Sequence, residues 1–87
     1  MTAARIVTAD DLIGHEITTP DGRELGEIED VIIDMADGAV AYVVMSRGGV
    51  MGLGEKYFAV PWHRLRVEED RSILLDVEPD VFDEALG

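Results

Sequence analysis

The nine-residue segment Gly48-Gly49-Val50-Met51-Gly52-Leu53-Gly54-Glu55-Lys56 holds four glycines and three large apolar residues. It lies between two strongly apolar stretches, Val40–Met45 and Tyr57–Val60. Flexible linkers combine glycine with serine and other polar residues, so this is a shaped loop inside one domain and not a tether between two. Its apolar side chains must be placed against the core or against a partner. The 87 residues give room for one small domain, read as 1–87 with its core at about 10–86. A domain of this size buries only roughly 60–65% of the surface its unfolded chain exposes. A second copy covering apolar surface would therefore add stability, and a homodimer is expected.

The formal charge is -12, from 19 acidic and 7 basic residues. That balance opposes direct binding of nucleic acid, which requires Lys and Arg to displace counterions from phosphate. It equally opposes docking on anionic lipid. The chain has no cysteine, which excludes disulfides, zinc–thiolate sites and thiol catalysis. Met1–Arg5 lead into no apolar signal-peptide segment, and no apolar run approaches the roughly 18–20 residues of a membrane span. A cytoplasmic protein is the expectation.

Turn chemistry divides the chain into short elements. Thr8-Ala9-Asp10-Asp11-Leu12-Ile13-Gly14 reads as one helical turn, with Thr8 as its cap, Asp11 three residues on and Gly14 as its end. His15–Thr18 is a short strand candidate, and Thr19-Pro20-Asp21-Gly22-Arg23 turns it into a hairpin that continues through Glu24–Ile28. A bulge near Glu29-Asp30 would bring Ile28, Val31 and Ile33 onto one inward face. Asp37-Gly38 is a tight-turn signal, and Val40–Met45 returns as a strand apolar on both faces, expected to be central and covered on both sides. Tyr57–Val60 follows the glycine loop, then a turn at Pro61-Trp62-His63-Arg64-Leu65, an extended Arg66–Glu68, a polar turn, and a last strand Ile73–Val77. Glu78-Pro79-Asp80 opens a short terminal helix with Val81, Phe82, Ala85 and Leu86 on its apolar side. Together these elements predict a small, strongly bent antiparallel β-barrel of five to six short strands with a short C-terminal helix.

The same residues, in this order and spacing, resemble the PRC-barrel family. The family is named after the cytoplasmic part of the photosynthetic reaction centre H subunit, and a related barrel forms the C-terminal half of a ribosome-maturation factor. The resemblance covers roughly Asp10 to Leu86. It rests on Leu12-Ile13-Gly14, on the run from Gly22 to Asp34, on Gly38–Val44, on the glycine loop, and on Ala59-Val60-Pro61-Trp62-His63-Arg64-Leu65. It implies a small barrel acting as an adaptor or assembly module, without shared catalytic residues. The chain shows neither the H subunit's transmembrane helix nor the maturation factor's additional N-terminal domain, so the stand-alone prokaryotic type is expected.

Specific chemistries find little support in the sequence. Gly49–Lys56 brushes the phosphate-loop pattern, but Glu55 intervenes before Lys56, and Tyr57 stands where a hydroxyl residue would hold magnesium. Asp76, Glu78 and Asp80 alternate like the start of a calcium loop, yet Pro79 interrupts them and the sixth position is Val81, not Gly. His15 and His63 have no partner at ligand spacing. Ser46 and Ser72 lack a nucleophile-elbow setting, and Glu27 with Glu29 is a paired-carboxylate device only if one is desolvated. Arg64, Arg66 and Arg71 near Trp62 are few against 19 acids. No catalytic, cofactor-binding or metal-ligating residue, no cofactor and no small-molecule substrate is therefore assigned.

The expected function is a non-enzymatic, self-associating protein-interaction module whose contact surface is Val50, Met51, Leu53, Tyr57 and Trp62. The alternative is an assembly factor that meets basic ribosomal proteins or ribonucleoprotein particles. A small-ligand or metal-binding enzyme ranks last.

Overall fold

A computed structural model describes residues 6–48, 54–79 and 81–82. Its elements are α1 (Ala9–Leu12), β1 (Glu16–Thr18), β2 (Glu24–Asp34), β3 (Ala39–Arg47), β4 (Lys56–Pro61), a 3-10 turn at Trp62–Arg64, β5 (Arg66–Val67) and β6 (Ile73–Leu74). No helix among the described residues is long and apolar enough to cross a membrane.

Local chemistry accounts for the first half. The Thr8 side chain accepts the Asp11 N–H at 3.0 Å, which caps α1 as the sequence predicts. Gly14 follows at φ +91, a left-handed conformation that ends the turn. Its N–H donates to the Ile28 carbonyl at 2.7 Å, and the Ile28 N–H donates to the His15 carbonyl at 2.9 Å. These two bonds fasten α1 to β2 where the strand bulges. The β2–β3 register passes from Ile28↔Met45 to Asp30↔Val44, leaving Glu29 as the extra residue. The bulge is thus where the sequence places it, and Ile28 is completely buried. Val31 packs partly buried against the core. Ile33 departs from the expectation and is 54% exposed. A second register shift between Ile32 and Ile33 breaks the alternation again, and the hairpin there has run past β4, which ends opposite Tyr42.

The sheet order is β4-β3-β2-β1-β6-β5. Two parts of the expected barrel need correction. The ladder is mixed, because β6 pairs parallel to β1 through Ile17↔Ile73 and Thr18↔Leu74. It is also not closed, since β4 and β5 are the two ends of the order and do not pair. What joins them is covalent. Residues 62–65 alone separate the end of β4 from the start of β5, and a segment that short spans less than about 20 Å even when fully extended. The sheet is therefore curled until its two edges approach at one end, with the 3-10 turn bridging the seam. The last strand is shorter than expected, Ile73–Leu74 alone, although Leu75 stays buried.

The core lies on the inner face of this curl, built from Ile17, Leu25, Ile28, Val43, Met45 and Ile73, each at most 2% exposed. The β3 strand, expected to be covered on both faces, buries Val43 and Met45 but leaves Tyr42 36% exposed and Val44 only partly buried. A single curled sheet has one inside, and among the described residues no second layer covers the other face. At the terminal end, Val81 and Phe82 are helical, and the Phe82 ring meets Phe58 of β4 edge-on at 4.8 Å. The continuation through Ala85 and Leu86 lies outside the described residues.

Gly26 on β2 has no room for a side chain. A Cβ there would collide with the Ser46 carbonyl oxygen and stand 2.8 Å from Met45 Cγ. The backbone oxygen cannot swing aside as a side-chain tip can, so β2 and β3 must separate to admit even one methyl group. Gly26→Ala is expected to cost roughly 3 kcal/mol through this overpacking. Urea denaturation monitored by circular dichroism measures it, and a midpoint equal to that of the unsubstituted chain would show that the contact is not a constraint.

Candidate functional site

The five residues expected to form a contact surface fall into three situations. Val50, Met51 and Leu53 lie outside the described residues. Tyr57, on β4, is 57% exposed. Its hydroxyl donates to Glu55 Oε1 at 3.0 Å, and this bond, with the Glu55 charge, raises the phenol above its usual pKa. Trp62 is partly buried and packs against the core at the seam. Its outer edge lines an open groove with Leu12, His15, Val67, Arg71 and Ile73. Tyr57 is thus a surface residue, whereas Trp62 serves both packing and groove.

The other groups singled out by type are largely engaged in the fold. Ser46 is buried, and its hydroxyl donates to Glu29 Oε2 at 3.0 Å. Glu29 is the bulged residue, so it no longer shares a simple strand phase with Glu27. His15 Nδ1 donates to the Glu16 carbonyl at 2.8 Å, and His63 is exposed in the 3-10 turn. Glu78 reaches Arg23 at 3.5 Å, both exposed, and Asp80 lies outside the described residues. Among the described residues no group of three or more His, Asp or Glu side chains is placed to hold a metal ion. Gly48 and Gly54 flank the glycine loop with φ +85 and +75, and residues 49–53 between them lie outside the described part. Arg66 is paired with Glu68 at 3.0 Å on the surface.

Three features were not singled out from the sequence. Arg71 adopts φ +75, a left-handed conformation unusual for a side-chain-bearing residue, in the turn before β6. Exposed apolar side chains gather on the far end of the β2–β3 hairpin, with Ile33 54% and Met35 93% exposed. Acidic residues are also distributed unevenly. Residues 39–67 contain one acid, Glu55, and four basic residues, Arg47, Lys56, Arg64 and Arg66, whereas the other 18 acids lie before or after. The structure gives this split a spatial meaning, because those residues form β3, β4, the 3-10 turn and β5. On the opposite flank Glu16 faces Glu27 across β1 and β2, with Glu24 close by. The Glu24 carboxyl is pushed above its usual range, first by sharing a hydrogen bond with Glu16 and then by the charges of Glu16 and Glu27. The uneven acid count was visible in the sequence, but its placement on one flank requires the strand order.

No curated protein matches the chain. A family model described as the PRC-barrel domain matches residues 5–81, a span that takes in every element from α1 to β6, and the chain belongs to the PRC-barrel domain family.

Proposed function

We propose that this domain is a non-enzymatic protein-interaction module that associates with a second copy of itself. The observation that carries the reading is the large side chain of Tyr57, 57% exposed on the well-formed outer strand β4. Apolar groups held outward on strands suit an interface. Ser46 and Glu29, the nearest approach to a nucleophile beside a carboxylate, are bonded to each other where β2 and β3 meet, which favours a structural role for both. Size-exclusion chromatography with light scattering tests self-association. At tens of micromolar the chain is expected to elute at twice its own mass, and Met51→Asp in the glycine loop is expected to shift it toward the single-chain mass while the fold is retained. A single-chain mass for the unsubstituted protein would contradict the reading.

A second reading, docking on basic ribosomal proteins or a ribonucleoprotein particle, is favoured by the hairpin end. There Ile33 and Met35 stand exposed beside Asp34 and Asp37, with Asp30 nearby on β2. An apolar anchor among carboxylates suits a basic partner. Immobilised domain is expected to retain purified basic ribosomal proteins at low salt and release them as salt is raised. Retention no greater than on an equally acidic control protein would dispose of this reading.

A further inference from the structure

The β4 strand is the outer strand at one end of the sheet. It pairs with β3 along its whole length, from Arg47↔Lys56 to Tyr42↔Pro61, without a register shift. Among the described residues no strand pairs on its other side. An outer strand presents a row of unpaired N–H and C=O groups, and proteins usually blunt such edges with a bulge, a mid-strand proline or charge, or by keeping the strand very short. The opposite edge follows that rule, since β5 has two residues and opens with Arg66. By contrast β4 has six residues, its lysine comes first and its proline last, and Tyr57-Phe58-Ala59-Val60 between them carries no charge. Phe58 and Val60 belong to the core side, whereas Tyr57 and Ala59 are exposed on the other face.

Charge identifies the occupant. Two copies of a chain with formal charge -12 repel wherever their acidic faces meet. Gly54–Pro61 contains only Glu55 and Lys56 as charged residues and is neutral, and the carboxylate of Glu29, which acts on Tyr57 from β2, is already bonded to the Ser46 hydroxyl. A basic foreign partner would be drawn to the carboxylate-rich flank instead. The neutral edge is where a second copy can approach closely, and a two-fold axis makes one strand complementary to itself.

We propose that β4 pairs antiparallel with β4 of a second copy about a two-fold axis perpendicular to the sheet, joining the two six-stranded sheets into one. The proposal rests on the self-association read above and names the element responsible. Such an axis sets each residue opposite one on the same face, so Tyr57 and Ala59 of both copies share one surface and lie close to the axis.

The absence of native cysteine makes a direct test possible. Single cysteines are introduced as Tyr57→Cys, Ala59→Cys and, on the exposed hairpin turn, Ala36→Cys, and each protein is treated with a short bis-maleimide at tens of micromolar. Tyr57→Cys and Ala59→Cys are expected to shift from the one-chain to the two-chain mass on a denaturing gel, and Ala36→Cys to stay at the one-chain mass. If light scattering shows a dimer but neither β4 cysteine cross-links, or Ala36→Cys cross-links equally well, β4 pairing is overturned and self-association survives. If the unsubstituted protein is monomeric, both fall.

Discussion

Gly26 lies beneath Met45 where any Cβ on β2 would run into the β3 backbone, and the packing of the two longest strands depends on that missing side chain. Met45 and Ile28 are both completely buried, and they are paired across the two strands immediately before the Glu29 bulge. The lack of a side chain at Gly26 lets the Met45 thioether lie over the strand, and the flexible methionine fills the space left. The bulge then bends β2, and the hydrogen bonds from Gly14 and to His15 hold α1 against the bend. Leu12, carried by α1, closes one side of the same core. A bulkier residue at Gly26 would push apart the two longest strands, to which the rest of the sheet is attached.

The parts of this fold that follow from neighbouring residues were legible in the sequence. The Thr8 cap, the Gly14 stop, the turn at Asp37-Gly38 and the bulge at Glu29 depend on chemistry within a few residues. The parts decided by distant segments were not. Ile73-Leu74 reads as a strand whether it runs parallel or antiparallel, and its pairing with β1 depends on the path of a chain more than fifty residues later. Apolar residues on both faces of β3 suggested two covering layers, but the number of layers is a property of the whole sheet. Ile33 belonged to the inward phase until a second register shift moved it out. The candidate surface divides for the same reason. Tyr57 and Trp62 are close in sequence, yet one stands on the exposed face of β4 while the other packs at the seam.

The seam also explains why a chain of this family can have an open edge. Four residues carry the chain from one end of the sheet to the other, so the curl is fixed covalently at the Trp62 end and needs no β4–β5 hydrogen bonds there. Closure by pairing would satisfy both edges. Closure by a 3-10 turn leaves β4 able to pair elsewhere. Along the sequence, 18 of the 19 acids lie outside residues 39–67, and β4 itself carries none. On β1 and β2, by contrast, Glu16, Glu24 and Glu27 crowd together.

If β4 pairs with its copy as proposed, its outer row of backbone groups is satisfied by the second chain. Amide hydrogen exchange, followed residue by residue over a dilution series, tests it most directly. The outward-facing amides among Tyr57–Val60 are expected to be protected at high protein concentration and to lose that protection on dilution, while those of β2 and β3 in the core stay slow throughout. Exchange of the β4 amides that does not change with protein concentration would contradict it.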